Sequence, residues 1–225
     1  MKEFTPDLQR EGRTGIPEVV LAEGKRPEQL TEIARSIVEA NGMAILTRVS
    51  EEQLPALRGL GYPIQYHAGS RVCVLSSPDH KPKGKEGRVG ILTAGTLDIP
   101  VAQEAQEIAA ALGCDTIAKY DVGIAGVHRL FGALSEMGDV DVYIVAAGRE
   151  GALPTLVAGL VDKPVIGLPV STGYGFGGKG EAALGAMLQS CAPLVVVNID
   201  AGFVAGAVAS RIAKARIGKG RGKKR

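Results

Sequence analysis

The stretch VYIVAA, residues 142–147, decides the fold class of this 225-residue chain. It is an uninterrupted apolar run, and a second run of the same kind, LVVVNI, spans residues 194–199. Strands without polar alternation are typical of parallel sheets that are covered by helices on both faces. The sequence therefore predicts an α/β fold, with a doubly wound, three-layer parallel sheet of Rossmann type around these two strands.

The sequence around these runs predicts a regular alternation of strands and helices from residue 88 to residue 215. Strands are predicted at 88–93, 116–119, 140–146, 164–168 and 194–199. Helices are predicted at 101–112, 124–137, 151–161, 181–190 and 203–215. In such sheets ligands bind beyond the carboxyl ends of the strands, so we expect the functional residues in the turns that follow them.

Residues 1–80 are predicted to form a separate, small α/β domain. Its predicted strands are 18–21, 43–47 and 71–75, and its first predicted helix is 27–40. Ser50 and Gln53 have the spacing of a capping box at the start of the next helix. The stretch 76–88, SSPDHKPKGKEGR, is rich in proline, glycine and charge, which is typical of a linker. The second domain is then assigned to 81–213.

The charges are unevenly distributed along the chain. Residues 214–225 hold seven of the 26 basic residues and no acidic one, so the remainder carries 19 basic against 24 acidic residues. Such a tail is usually a disordered, solvated end, and RNA or membrane-surface binding is the weaker alternative. Aromatic residues make up only 4% and tryptophan is absent, which argues against a stacking surface for nucleic acid.

The cysteines and the apolar runs indicate the compartment. Cys73, Cys114 and Cys191 stand far apart without a CxxC pair, which argues against a zinc site and favours a reducing environment. The amino-terminal sequence has no apolar core, and no apolar run approaches the roughly 18 residues of a membrane span. We therefore expect a cytoplasmic protein without a membrane segment.

Polar or small residues follow each predicted strand, as a site at the carboxyl edge requires. Each candidate also has a purely structural explanation: Asp98 could cap a helix, His128 borders an apolar helix stripe, and a carboxylate such as Glu150 is favoured at a helix N-terminus. In chain order, the candidates from the first three turns are Thr96, Asp98, Asp121, His128, Arg149, Glu150 and Gly151.

The turn after the fourth predicted strand, STGYGFGGKG at 171–180, is rich in glycine. Glycines allow close approach of a ligand to the backbone, and free N–H groups beside a cation favour an anion such as phosphate. The candidates here are Gly173, Gly175, Gly177, Gly178 and Lys179. The alternative is a flexible loop followed by a helix that buries its cysteine. The residues spaced for that core stripe are Leu184, Met187, Leu188 and Cys191.

Four segments of the second domain resemble the aminoimidazole ribonucleotide carboxylase (PurE) family in outline and the LarB family closely. They are TAGTLDIPVAQEA (93–105), GIAGVHRLF (123–131), VYIVAAGREGALPTLVAGLVDKPVIGLPV (142–170) and AMLQSCAPLVVVNID (186–200). The likeness to LarB extends to REGRTGIPEVVLAEGK at 10–25. Three features separate the chain from the purine enzyme: the additional N-terminal domain, the Arg149-Glu150 turn in place of a usual histidine, and Cys191 in QSCAP.

The resemblance implies a pyridinium-3,5-biscarboxylic acid mononucleotide synthase of nickel-pincer nucleotide synthesis. Such an enzyme carboxylates C5 of the pyridinium ring of nicotinic acid adenine dinucleotide with CO₂ or bicarbonate, and cleaves the phosphoanhydride to release AMP. Cys191 matches the family's nucleophile. The resemblance also implies a divalent ion, Mg²⁺, whose protein ligands stay unassigned. It further implies a homo-oligomer, specifically an octamer. We expect no membrane as a binding partner.

Within that reaction a base has to remove the proton from C5, and the candidates are Glu150 in the first place and His128 in the second. Thr96, Asp98, Arg149 and the loop 173–179 would hold ribose, phosphate or carboxylate. The family commonly has serine at the position of Leu97, so a hydroxyl contact is missing there. Two alternatives stay open: an aminoimidazole ribonucleotide mutase or carboxylase, in which Cys191 is dispensable and His128 essential, and a non-catalytic dinucleotide-binding module with an RNA-binding tail.

Overall fold

The computed structural model describes residues 4–82 and 84–221, with side chains up to residue 215. The chain divides into two compact units, with the boundary between Lys83 and Gly84. This boundary falls inside the stretch 76–88 that the sequence predicts as a linker. No helix in the described residues is both long and apolar enough to cross a membrane.

The first unit is a four-stranded mixed sheet with three helices. Its strands have the order β1-β2-β4-β3; β1 is parallel to β2, and the other pairings are antiparallel. The elements are α1 (Arg10–Thr14), β1 (Val19–Leu21), α2 (Pro27–Asn41), β2 (Met43–Thr47), α3 (Leu54–Arg58), β3 (Ile64–His67) and β4 (Val72–Ser76). The sequence had indicated neither α1 nor β3, because both are short and lack a clear apolar period.

The capping box predicted from Ser50 and Gln53 is present. The Ser50 backbone N–H donates to Gln53 Oε1 over 2.9 Å, and the Gln53 N–H donates to Ser50 Oγ over 3.3 Å. The Gln53 amide also donates to the carbonyls of Ala22 and Lys25, so this residue ties α3 to the turn after β1. The cap therefore supports tertiary structure as well as the helix start.

The second unit is a five-stranded, wholly parallel sheet in the order β6-β5-β7-β8-β9. Its strands are β5 (Arg88–Thr93), β6 (Asp115–Lys119), β7 (Val142–Ala147), β8 (Val165–Pro169) and β9 (Val195–Val196). Its helices are α4 (Ile99–Ala111), α5 (Val127–Met137), α6 (Leu153–Ala158), α7 (Glu181–Leu188) and α8 (Gly202–Arg221), with 3₁₀ turns at Thr96–Asp98 and Ile124–Gly126.

Helices cover both faces of this sheet, which confirms the doubly wound prediction. On one face, alanines of α4 and α8 pack against the strands; on the other, apolar residues of α5, α6 and α7 do so. The strand β7 is buried at every position, as its apolar sequence indicates. Between β5 and β7 the winding direction reverses, because β6 lies beside β5 on the opposite side, and this reversal opens a crevice at the carboxyl ends.

Three elements differ clearly in length from the sequence prediction. α6 spans Leu153–Ala158, six residues, instead of the predicted 151–161. β9 contains two residues instead of the predicted six, because only Val195 and Val196 pair with β8. α8 continues to Arg221 instead of ending at 215, so the backbone of most of the segment predicted to be disordered is helical. Lysine and arginine are good helix formers, and basic residues are favoured near a helix C-terminus. Residues 222–225 of the predicted tail lie outside the described residues.

Candidate active site

A cavity of about 590 Å³ lies at the carboxyl edge of the parallel sheet. Turns that follow β5, β6, β7 and β8 converge there, as expected for a doubly wound sheet. Of the residues predicted from sequence, the cavity is lined by Thr96, Asp98, Asp121, Arg149, Glu150 and Gly173. The remaining lining residues are Ala94, Gly95, Leu97, Gly123, Ile124, Ala125, Ala147, Thr172 and Tyr174.

Asp98 is the buried carboxylate of the cavity, with only 5% of its surface exposed. Its Oδ2 accepts the Gly95 backbone N–H over 2.8 Å, and its Oδ1 accepts the Thr172 hydroxyl over 3.4 Å. Burial raises the pKa of Asp98 above its ordinary value, although the hydrogen bonds from Gly95, Thr172 and the Gly148 backbone oppose the shift. The side chain therefore caps the 3₁₀ turn and joins two of the turns that form the site.

The negative charge of Asp121 is balanced by Arg129. Arg129 donates to Asp121 Oδ2 over 2.6 Å, while the Asp121 backbone N–H donates to Thr93 Oγ1 over 3.0 Å. Asp121 also adopts the left-handed conformation, with φ of 57°. This ion pair leaves little net charge on that side of the cavity.

Arg149 and Glu150 extend from the turn after β7 and are both exposed. The Arg149 guanidinium lies 5.0 Å from the centre of the Tyr174 ring, within the range of a cation–π contact. The negative charge of Glu150 raises the pKa of Asp98 further. The cavity thus combines a solvent-accessible guanidinium, an exposed carboxylate and a buried carboxylate.

The glycine-rich loop reaches the cavity only through its first part. A Cβ on Gly173 would lie 2.0 Å from the Gly148 carbonyl oxygen, so only glycine fits this close approach of two turns. The Lys179 N–H donates to the Gly173 carbonyl over 3.2 Å and closes the loop on itself. The predicted residues Gly175, Gly177, Gly178 and Lys179 do not line the cavity.

Cys191 does not line the cavity either. α7 ends at Leu188, and Cys191 lies exposed in the connection to β9, whereas Cys73 and Cys114 are buried. Because α7 begins at the carboxyl edge and a parallel strand is entered at its amino end, this connection leads away from the cavity. The alternative of a buried core cysteine is wrong: the helix stops before Cys191, and Leu188 of the same predicted stripe is 67% exposed.

His128 and Gly151 also lie outside the cavity lining. His128 is exposed near the start of α5, whose buried residues are Leu130, Ala133 and Met137. Gly151 has a φ of 68°, and a Cβ there would lie 2.5 Å from the Ala183 carbonyl oxygen. A packing requirement therefore explains this glycine.

The individual residues singled out from the sequence do not include Thr172, Tyr174 and Ile124, although Tyr174 lies within the loop 173–179 that is expected to hold the ligand. All three follow predicted strands, but a lone aromatic, aliphatic or hydroxyl side chain in a turn carries no specific chemical signature. Among the described residues, no three His, Cys, Asp or Glu side chains converge as a metal site. Since Mg²⁺ is usually held by one or two carboxylates together with substrate phosphates, the carboxylates of this cavity fit an ion shared with the substrate better than a protein-only site.

Known families match both units of the chain. A family described as LarB/PurE-like N-terminal domain matches residues 2–77, and one described as AIR carboxylase matches residues 88–220. The chain belongs to the LarB family. Its second unit belongs to the PurE-like carboxylase and mutase family. The two matches together cover nearly all of this LarB-family chain.

The chain is also similar to individual proteins. An uncharacterized protein of Methanocaldococcus jannaschii is 44% identical to this LarB-family chain over 216 residues, which are 92% of the chain and 83% of that protein. The N5-carboxyaminoimidazole ribonucleotide mutase of Thermotoga maritima is 35% identical over 91 residues, 38% of the chain and 51% of that protein. The crystal structure of PurE from Treponema denticola has 21% identity and a TM-score of 0.46, covering 60% of this chain and 92% of that one.

Proposed function

We propose that this protein carboxylates nicotinic acid adenine dinucleotide at C5 of its pyridinium ring and cleaves the phosphoanhydride, giving pyridinium-3,5-biscarboxylic acid mononucleotide and AMP. The observation that carries the proposal is the pairing of the LarB-type N-terminal domain with the AIR carboxylase domain in one chain. The reaction takes place in the cytoplasm and uses CO₂ or bicarbonate as co-substrate.

The cavity has the size and charge that such a substrate needs. A volume of about 590 Å³ is within the usual range for small-molecule sites, and the substrate is an anion at its pyrophosphate and carboxylate groups. Arg149 is the cation that meets these groups, while Thr96, Thr172 and the backbone around Gly173 supply hydrogen bonds. Asp98 and Asp121 line the same cavity and bind the ribose hydroxyls.

Cys191 supplies the nucleophile. A pyridinium ring is too electron-poor to attack CO₂, so the thiolate first forms an S–C bond at C4 and converts C5 into an enamine-like carbon. C5 then forms the new C–C bond with CO₂. After a base has taken the C5 proton, the S–C bond breaks, the thiolate leaves with its electron pair, and the ring regains aromaticity.

Glu150 is the base for the C5 proton. Its carboxylate lines the cavity next to Arg149 and forms no ion pair with any residue that the structure describes, whereas Asp121 is bound to Arg129 and Asp98 accepts hydrogen bonds from three groups. A base has to reach the substrate before its strength matters. His128, the second candidate, lies outside the cavity lining of its own chain.

The position of Cys191 supports a site that is shared between two subunits. In one chain the cysteine lies on the connection before β9, exposed and flanked by the exposed apolar side chains Leu188 and Val195. The rim of the cavity also exposes apolar side chains, Leu97 and Ile124. We propose that these two apolar surfaces pack together in the octamer, so that Cys191 of the partner subunit reaches the pyridinium ring.

A divalent ion would take part in the anhydride cleavage. The substrate phosphates would supply most of its ligands, and a carboxylate of the cavity other than the base Glu150 would complete them. When bound, Mg²⁺ shields the charge of the pyrophosphate against the attacking water.

The test is incubation of the protein with nicotinic acid adenine dinucleotide, bicarbonate and Mg²⁺, followed by mass spectrometry of the nucleotides. The expected products are the dicarboxylated pyridinium mononucleotide and AMP, and Cys191→Ala should abolish both the carboxylation and the adduct. Absence of product with folded wild-type protein, or full activity in Cys191→Ala, would contradict the proposal. Because Cys191 is exposed, this variant should fold like the wild type.

A second candidate function is that of an aminoimidazole ribonucleotide carboxylase or mutase. The AIR carboxylase match and the relatives named N5-carboxyaminoimidazole ribonucleotide mutase favour it. The same protein would then convert N5-carboxyaminoimidazole ribonucleotide without Cys191 and would leave the dinucleotide unchanged. Turnover by Cys191→Ala with the purine substrate is the result that selects this candidate.

A further inference from the structure

The two arginines near the cavity differ in their partners. Arg129 donates to Asp121 over 2.6 Å, so its charge is largely compensated, and it does not line the cavity. No hydrogen bond or ion pair joins Arg149 to any residue that the structure describes; its contact is with the ring of Tyr174. Arg149 is therefore the guanidinium of the cavity that keeps its N–H groups for an incoming anion.

The structure fixes Tyr174 beside Arg149 through its backbone. A Cβ on Gly173 would meet the Gly148 carbonyl oxygen at 2.0 Å, so only glycine fits at this contact, and the residues that follow the two glycines are Tyr174 and Arg149. The Lys179 N–H bond to the Gly173 carbonyl holds the other end of the turn. This contact of two turns brings a flat ring under the guanidinium without any hydrogen bond between the side chains.

We propose that Tyr174 is a positioning residue, whose ring holds the Arg149 guanidinium at the cavity mouth for a phosphate or carboxylate group of the substrate. The proposal rests on the proposed function only for the identity of the substrate. Stacking occupies the face of the guanidinium and leaves the in-plane N–H fork free for the two oxygens of an anion. It also reduces the rotamer freedom that Arg149 would otherwise lose on binding.

The chemistry of the ring, rather than its hydroxyl, performs this role. Tyr174 is 70% exposed, and no hydrogen bond of its hydroxyl is seen within the described part of the chain. Phenylalanine retains the cation–π contact, whereas leucine keeps an apolar side chain of moderate size but removes the aromatic face. Tyr174→Phe and Tyr174→Leu therefore form a matched pair, and Phe176→Leu is a control on the same loop outside the cavity lining.

The experiment measures binding by calorimetry with two probes, AMP and nicotinic acid. AMP offers a phosphate without the carboxylate, and nicotinic acid offers the carboxylate without a phosphate. We expect Tyr174→Leu to weaken the binding of the probe that contacts Arg149 by roughly two- to five-fold, as an exposed cation–π contact warrants. Tyr174→Phe and Phe176→Leu should bind that probe like the wild type, and all variants should keep the wild-type Tm.

A double-mutant cycle separates positioning from direct contact. In an Arg149→Met background, Tyr174→Leu should cause no further loss of binding, because its effect acts through the guanidinium. An equal loss in both backgrounds would show that Tyr174 binds the ligand itself and would overturn the proposal. Wild-type affinity in Tyr174→Leu, or no binding of either probe by the wild type, would also overturn it. Failure of the proposed function alone would appear differently, as coupled binding without turnover of the dinucleotide.

Discussion

The hydroxyl of Thr172 donates a hydrogen bond to Oδ1 of Asp98 over 3.4 Å, linking the turn after β8 to the turn after β5. The strand β7 lies between these two strands, and Gly148 at its end has no room for a Cβ beneath the Asp98 carboxylate. One buried carboxylate therefore holds together three of the four turns that form the cavity.

Replacing Asp98 should change the pH dependence of stability. Its pKa is raised by burial, so the folded state binds the proton more tightly than the unfolded state does. The wild type then loses stability as the pH rises from the unperturbed carboxyl pKa of about 4 through the folded-state value. The Asp98→Asn side chain cannot ionise. The free energy of unfolding of this variant should therefore rise relative to that of the wild type as the pH rises through that window. Urea unfolding across a pH series tests this; a difference that is constant with pH, or that moves the other way, contradicts it.

Gly173→Ala should destabilise the protein and impair ligand binding. The added Cβ would meet the Gly148 carbonyl oxygen at 2.0 Å, so the two turns must separate, at a cost of about 1–3 kcal/mol. The matched control is Gly185→Ala in α7, where nothing lies within 4 Å of the new Cβ. That change should stabilise the helix by about 0.5–1 kcal/mol. Equal effects of the two substitutions on the urea midpoint would show that the close contact is not needed.

Glu150→Gln should reduce kcat far more than His128→Gln does. Loss of a general base typically lowers the rate about 10²- to 10⁴-fold, and glutamine keeps the size of the side chain while removing its basicity. His128 is exposed and outside the cavity of its own chain, so its substitution should alter stability by no more than about 0.5 kcal/mol and leave turnover close to wild type. Steady-state kinetics with the dinucleotide measure both. The opposite order of effects would move the base to His128.

Mixed oligomers should recover activity from two inactive variants. If each site combines the cavity of one subunit with Cys191 of the partner subunit, then Cys191→Ala and Glu150→Gln subunits complement one another. Random mixing after dissociation should restore about one quarter of the sites, because a site works only when both contributing subunits carry the intact residue. No recovery in verified mixed oligomers would place cavity and cysteine in the same chain.

Much of the fold follows from the sequence because the parallel sheet leaves a strong pattern. β5 has the predicted bounds, 88–93, because a short apolar run between a charged linker and a small-residue turn clearly predicts a strand. β9 is shorter than its apolar sequence suggests, because only Val195 and Val196 pair in register with β8. Beyond them the contact continues as single hydrogen bonds from the N–H groups of Val197 and Asp200 to β8 carbonyls. α8 is longer than predicted: its alanine, lysine and arginine residues favour the helix, and Gly218 and Gly220 do not end it.

The site was predictable only where strand order determines it. Thr96, Asp98, Asp121, Arg149, Glu150 and Gly173 converge because each follows a parallel strand. Tyr174 follows the same rule but shows no chemical pattern, and its contact with Arg149 depends on the approach of Gly173 to Gly148. The nearness in sequence of Cys191 to the glycine loop is misleading, since α7 separates them along the sheet.

The most direct measurement is intact-protein mass spectrometry of the wild type after incubation with nicotinic acid adenine dinucleotide, with peptide mapping of any adduct. The thiol of Cys191 is exposed on the surface of the subunit, whereas Cys114 is buried and burial raises the pKa of Cys73 to about 12. The account predicts a dinucleotide-sized adduct on Cys191 that disappears in Cys191→Ala. Product formation by Cys191→Ala, or an adduct on another residue with Cys191 unmodified, would contradict it.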